Sequence, residues 1–212
     1  MRIVTALVIG AVAAANSGDV PQRRGQPRKP NPVAVKPKTE PAKVSCPESL
    51  GTGVKTGTSY CFVIAGRDPA QGVLVTVPPH IGEATLRFDL HNRHTYSEEQ
   101  MKARRGFAKY TAVIGVLTLK GDLLDRAAVQ TEFRTARDLH ERISGGAGPG
   151  GVKAVAPVGS EPIAIAIPPG IDQVSLLGEV LDSTTAAGRE TAAPGRPVAI
   201  VSNVTIEYRP RR

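Results

Sequence analysis

The sequence predicts an all-β fold: a two-sheet β-sandwich of the jelly-roll or immunoglobulin type, with one short helix and a disordered proline-rich leader. Three observations lead to it. Apolar and polar residues alternate with a period of two in many short segments, as in strands with one buried face. Turn residues separate these segments, and the chain of 212 residues contains 22 Gly and 18 Pro. Residues 46–212 are also enough to bury a single core.

The alternation predicts eight or nine short strands. The segment Tyr110–Leu119 is apolar on both faces, as a central strand would be. In the last strand, five apolar side chains are expected on one face: Val198, Ile200, Val204, Ile206 and Tyr208. The strand before it is expected to place Val174, Leu176 and Val180 on one face. The predicted segments are 61–65, 72–77, 84–90, 110–119, 129–133, 152–158, 163–167, 174–180 and 198–208.

The region 127–143 departs from this pattern, because its apolar residues recur near the spacing of a helix. Either a single helix covers it, or a strand reaches Phe133 and a short helix follows over Asp138–Ile143. The clean alternation from Val129 to Phe133 favours the second interpretation. We expect that helix to cap one end of the sandwich.

Two segments repeat one pattern 90 residues apart, Val75–Ile81 and Ile165–Ile171. Each has a strand, then two prolines, then an isoleucine. Proline has no N–H for a β-ladder, so each pair is a suitable place for the chain to cross between sheets. The repeat indicates either a duplicated half-sandwich or the same corner used twice.

The first 15 residues are predicted to be a signal peptide. Arg2 precedes an apolar stretch, and Ala13 and Ala15 supply the small residues that signal peptidase requires. The 13 apolar or small residues of 3–15 are fewer than the roughly 20 that span a bilayer. We therefore expect a secreted or periplasmic protein.

Residues 16–45 are predicted to be a basic, proline-rich, disordered linker. The stretch 19–47 has seven prolines, and its seven Lys and Arg minus two Asp and Glu give a net charge of +5 out of +8 for the chain. In its mix of Pro, Lys and Glu it resembles the periplasm-spanning segment of TonB-type proteins. A solvated spacer is the simplest interpretation. A cationic arm would make at most peripheral contact with a membrane surface.

The only two cysteines, Cys46 and Cys61, are predicted to form a disulfide, because exported proteins occupy oxidising compartments. The closed loop of 16 residues corresponds to about 3 kcal/mol of stabilisation in the chain-entropy model. The alternative is a pair of metal ligands, but two cysteines with no nearby histidine supply half a zinc site at best.

The densest polar cluster lies around the end of the strand 84–90, where His91 and His94 are near Asp89, Glu98 and Glu99. The candidate ligand-binding residues of this region are Arg87, His91, Arg93, His94 and Tyr96. Asp89 and His91 are expected to share a strand face. Imidazoles beside a carboxylate suit a metal or acid–base chemistry, but a solvated strand end explains the same residues. No catalytic residue, metal site or cofactor is predicted.

These observations predict a non-catalytic exported module that binds a protein partner or an envelope polysaccharide. Segments 84–90 and 198–208 resemble strands of jelly-roll carbohydrate-binding modules, which implies a glycan-binding alternative. A secreted hydrolase is a further alternative, but the sequence has no G-x-S-x-G motif. Nucleic acid is not an expected partner, because the basic residues lie on the ends of the chain rather than on the domain.

Overall fold

The computed structural model of this protein describes residues 35–93, 102, 108–133, 139–147, 153–157, 160–185 and 188–211. The predicted signal peptide 1–15 and the linker as far as residue 34 lie outside these ranges. A short 3₁₀ turn covers Pro69–Gln71. The strands within the described ranges are β1 (Lys38–Pro41), β2 (Lys43–Ser45), β3 (Ser49–Gly53), β4 (Ser59–Ile64), β5 (Val73–Thr76), β6 (Ala84–His91), β7 (Ala108–Thr118), β8 (Leu123–Phe133), β9 (Leu139–Ala147), β10 (Lys153–Pro157), β11 (Glu161–Ile167), β12 (Gln173–Thr185), β13 (Gly188–Thr191) and β14 (Pro197–Tyr208).

The strands form two antiparallel sheets, which confirms the predicted β-sandwich. The first sheet has the order β10-β9-β3-β4-β14-β6-β11, with β1 also paired to β14. The second sheet has the order β2-β5-β12-β7-β8, with β13 also paired to β12. Strand β7 lies between β12 and β8, as its two apolar faces predicted.

The core lies between the inner faces of the two sheets. From the first sheet, Leu86, Phe88 and Leu90 of β6 are buried, and β7 supplies Ile114 and Val116 from the second. Polar or small residues alternate with them on the outer faces, as the period of two requires.

Two strands contain register shifts that overturn the side-chain faces predicted for them. In β12 the shift lies between Gly178 and Val180, so Val180 is 46% exposed whereas Leu181 is 3% exposed. In β14 the shift lies between Ser202 and Thr205, where Asn203 has a φ of 52°. Ile200 consequently packs in a separate cluster from Ile206. An extra residue inverts the alternation beyond it, and the sequence pattern alone did not reveal either shift.

The helix predicted over Asp138–Ile143 is wrong, because Leu139–Ala147 forms strand β9. This strand pairs with β10 and, through Ile143 and Ser144, with β3. Ile143 packs against Tyr60 and Ile200, outside the main core. Short apolar runs fit either period, and these tertiary contacts decide for the strand. The strand predicted to end at Phe133 is confirmed as β8.

The last part of the predicted disordered linker is also structured, since β1 and β2 lie within residues 38–45. β1 pairs with β14 and β2 pairs with β5. Glu40 forms an ion pair with Lys38 and accepts a hydrogen bond from the Tyr208 hydroxyl at 2.8 Å. Composition indicated disorder here, but these partners are far away in sequence.

The predicted disulfide between Cys46 and Cys61 is present, with the two Cα atoms 5.7 Å apart. Cys46 follows β2 of the second sheet and Cys61 lies in β4 of the first. The bond therefore joins the two sheets. In the part of the chain that the structure describes, no helix is long and apolar enough to cross a membrane.

Both double prolines lie where the chain crosses between sheets, as predicted. Pro78 and Pro79 stand between β5 of the second sheet and β6 of the first. Pro168 and Pro169 stand between β11 of the first sheet and β12 of the second. The two crossings run in opposite directions and meet at the same end of the sandwich.

Candidate functional site

The predicted ligand-binding cluster contains a row of polar pairs between β6 and β14. Arg87 Nη2 lies 3.0 Å from Glu207 Oε2, and His91 Nε2 lies 2.8 Å from Ser202 Oγ. Between them, the Asn203 amide donates to Asp89 at 2.8 Å. Asp89 and His91 share a strand face as predicted. Each of these pairs joins two neighbouring strands of the first sheet.

His91 is buried within this row rather than presented to solvent. It is 7% exposed, and the Tyr60 ring contacts it edge-on with the ring centres 5.8 Å apart. His94 and Tyr96 lie outside the described residues. The structure brings Arg87 and His91 onto one face but does not show the five predicted residues as a group, so ligand binding at this cluster stays a prediction.

Arg93 lies apart from that row and connects the two sheets. It follows β6 of the first sheet and forms an ion pair with Glu190 in β13 of the second. Nearby, the Tyr110 hydroxyl of β7 donates to the Val198 carbonyl of β14. Burial raises the pKa of Tyr110, and the nearby Arg93 opposes this shift. We call this region, formed by Arg93, Tyr110, Glu190 and Val198, the closed end.

The opposite end of the sandwich contains an open cleft of about 590 Å³. Residues at or directly after the two double-proline corners contribute to it, in the segments 76–80 and 170–173. Leu119, after β7, and Arg211, after β14, complete it. We call this the proline cleft. Its lining combines apolar surface with donors and acceptors: Thr76, Val77, Pro78, Pro79, His80, Leu119, Gly170, Ile171, Asp172, Gln173 and Arg211.

His80 is the buried polar residue of the proline cleft. Its side chain is 8% exposed, and Nδ1 lies 2.9 Å from the Pro78 carbonyl. A carbonyl only accepts, so Nδ1 is the donor in this contact. Nε2 has no hydrogen-bond partner among the described residues.

Two charged side chains of the proline cleft also have no partner among the described residues. Asp172 and Arg211 use their backbone groups, which bond to Val77 and Pro79 respectively. Within the described ranges, neither the Asp172 carboxylate nor the Arg211 guanidinium makes a hydrogen bond or an ion pair. Carboxylate accepts, guanidinium donates, and the amide of Gln173 does both. This set matches a ligand rich in hydroxyl groups.

The sequence did not predict His80, Asp172 or Arg211 as site residues. The signal that pointed toward this region was the internal repeat, since Pro78 and Pro79 of its first copy and Gly170 and Ile171 of its second copy line the cleft. Arg211 lies beyond the repeat and enters the cleft only because β14 ends beside β6.

A second candidate surface is the free edge of the first sheet. Strand β11 pairs with β6 in an unbroken register and with no other described strand. Only Glu161, its first residue, is charged. The other outermost strands of the described sheets carry charge or irregularity: β8 contains Asp125, Arg126 and Glu132, β2 is three residues long, and β10 has register shifts. Regular, uncharged edges accept an added strand, whereas charges and bulges oppose it.

Among the described residues, no group of three or more His, Cys, Asp or Glu side chains could hold a metal ion. The two cysteines are joined to each other, which removes them as a metal pair.

The fold and these two surfaces define a disulfide-linked antiparallel β-sandwich. No family model and no curated protein matches the chain. A solved structure of the infectious bursal disease virus VP2 subviral particle is 12% identical, with a TM-score of 0.26, over 81% of this chain and 32% of that chain. A structure of the IBDV viral particle is also 12% identical, with a TM-score of 0.26, over 86% of this chain and 34% of that chain. This chain thus spans about a third of the viral chains, and at such TM-scores the similarity carries no argument.

Proposed function

We propose that this protein is an exported β-sandwich that acts as a protein-interaction module of the cell envelope, using the free edge of β11. The observation that carries the proposal is that this edge is regular and uncharged. After Glu161 it has no charge, and its register with β6 has no bulge. A strand of this kind recognises a partner through backbone hydrogen bonds, with alternate side chains adding specificity.

The side chains of β11 support this use. Ile165 and Ile167 point into the core and fix the strand, whereas Ala164 and Ala166 are exposed on the outer face. Small exposed side chains leave the backbone accessible along the edge. The disulfide supports the exported setting, because such bonds persist in oxidising compartments.

A retention assay on envelope or extracellular material of the source organism tests this proposal. Residues 16–212 are applied at low and high salt to untreated material, to protease-treated material and to protein-free polysaccharide. We expect retention on untreated material at high salt and its loss after protease treatment. Retention that disappears at high salt, or on deleting residues 16–34, would assign binding to the basic leader instead. The deletion stops at residue 34 because β1 begins at Lys38.

Two variants test whether binding uses the edge of β11. Ala164→Pro removes an N–H, and Ala164→Lys adds a charge, both on the strand that is proposed to pair. We expect both variants to keep the thermal unfolding temperature within a few degrees of the wild type and to lose retention at least about tenfold. Ala70→Lys, an exposed position in the 3₁₀ turn, is the matched control and should be retained like the wild type. Unchanged retention of both edge variants would overturn the proposal.

A second candidate function is favoured by the proline cleft, namely binding of an envelope polysaccharide. Within the described ranges, the side chains of Asp172 and Arg211 and the Nε2 atom of His80 have no hydrogen-bond partner, and all three suit hydroxyl groups. This candidate predicts retention on protein-free polysaccharide that Ala164→Pro leaves unchanged and Asp172→Asn or Arg211→Gln weakens. The same assay therefore separates the two functions.

A further inference from the structure

The edge strand β11 has a symmetry that identifies a specific partner. Residues 162–168 read Pro-Ile-Ala-Ile-Ala-Ile-Pro, which is the same in both directions around Ile165. Antiparallel strands run in opposite directions, so a palindromic strand can pair with a copy of itself in which every residue faces its own type. We infer that the partner of this edge is a second copy of the chain, joined through β11 around a two-fold axis at Ile165. This inference rests on the proposed use of the β11 edge.

The proposed pairing follows from the arrangement of the prolines. Proline has no N–H, so within a sheet it occupies positions whose N–H would point away from the neighbouring strand. Pro162 is paired with Asp89 of β6. The N–H position of Pro162 therefore faces the free edge. Ala164 and Ala166 lie two and four residues further along the strand, so their N–H and carbonyl groups also point to the free edge.

In the resulting dimer, Ala164 of one copy lies opposite Ala166 of the other. Each of these two residues donates its backbone N–H to the carbonyl oxygen of the other. Ala166 of the first copy and Ala164 of the second do the same, which gives four hydrogen bonds between the copies. The prolines at 162 and 168 stand at the two ends of this segment and stop the pairing from extending. On the inner side, Ile163 faces Ile167 of the second copy, which covers the one isoleucine of β11 that is only half-buried.

Charge and topology are consistent with a closed dimer rather than a fibre. No charged residue occurs in 162–168, so the pairing opposes no like charges. A two-fold contact uses the same patch on both copies and therefore closes on itself. Because a single strand pair is a small interface, we expect a weak dimer with a Kd of about 1–100 µM.

Charge placement at Ala164 and Ala166 tests the pairing and its register. In A164E/A166E, each new glutamate would face a glutamate of the other copy. In A164K/A166K, each new lysine would face a lysine of the other copy. We expect both variants to be monomers in sedimentation equilibrium, with dimerisation weakened at least about tenfold. Mixing them in equal amounts should restore a dimer of one copy of each. The variant A164E/A166K should dimerise by itself, because residue 164 faces residue 166.

The matched control is Val54→Glu with Ala70→Glu, which adds two charges at exposed positions outside β11. It should dimerise like the wild type. Circular dichroism and thermal unfolding of each variant show that it is folded. The inference is overturned if the wild type is monomeric up to about 1 mM, if the like-charged variants dimerise as well as the wild type, or if A164E/A166K is a monomer.

The failure of this inference is distinguishable from that of the proposed function. A wild type that is monomeric at all concentrations, but is retained on envelope protein in a manner that Ala164→Pro abolishes, would keep the proposed function and replace the second copy with a different protein. A dimer with no retention on envelope material would support the inference and overturn the proposed function.

Discussion

The two ends of the sandwich use polar side chains in opposite ways. At the closed end, Arg93 pairs with Glu190 and Tyr110 donates to the Val198 carbonyl, and both contacts link one sheet to the other. At the proline cleft, the side chains of Asp172 and Arg211 make no such contact within the described ranges, and the sheets are linked there by chain crossings instead. Polar groups that stabilise the fold are thus separated from polar groups that remain available to a ligand.

The largest expected effect at the closed end comes from Tyr110→Phe. Removing the hydroxyl leaves the buried Val198 carbonyl without this donor, which should lower the free energy of unfolding by about 1–3 kcal/mol. Urea unfolding at pH 7 measures it. Tyr208→Phe is the matched control, because its hydroxyl binds Glu40 near the surface; its effect should be smaller. Equal losses in the two variants would contradict the special role of the closed end.

Tyr110 also makes the free energy of unfolding depend on pH in the alkaline range. Burial raises the pKa of Tyr110 above its usual value of 10.0, so above pH 10 the unfolded chain loses this proton while the folded chain keeps it. The contribution to stability is complete below pH 10 and is lost as pH rises, by up to about 1.4 kcal/mol per pH unit.

Urea unfolding from pH 9 to 11 checks this titration, with Tyr110→Phe as the comparison. The wild type should lose stability more steeply than the variant above pH 10. Tyr208 is present in both proteins, so its own titration cancels. Parallel curves would show that the Tyr110 hydroxyl is not protected by burial.

The smallest effect is a difference in coupling energy between the two ends. A double-mutant cycle of Arg93→Gln with Glu190→Gln should give about 0.5–1 kcal/mol, since Glu190 is largely exposed. The cycle of Asp172→Asn with Arg211→Gln should give a coupling within about 0.3 kcal/mol of zero, and each single change should stay within about 0.5 kcal/mol. Comparable couplings at both ends would mean that the cleft charges are paired in solution.

The sequence predicted the fold well where alternation is local. The segments at β6, β7 and β11 were predicted almost to their ends, and so were the two crossings at the double prolines and the disulfide. It predicted the site less well. Arg87 and His91 were predicted to bind a ligand, but both side chains are engaged within the first sheet. His80 lies in the repeated segment Val75–Ile81, but nothing in the sequence marks it as a site residue, because only its burial distinguishes it.

What the sequence by itself determined is therefore set by short-range chemistry: the period of two, the missing N–H of proline, and two cysteines with one available partner each. Tertiary structure alone decided the faces beyond the bulges at Gly178 and Asn203, the strand at 139–147 and the strands of residues 38–45. It also decided that Arg211 and Asp172 line one cleft. Apart from the pairing of β9 with β10, these outcomes depend on partners about 30 or more residues away. Nothing in a local pattern records which distant strand supplies the hydrogen bonds or the covering surface.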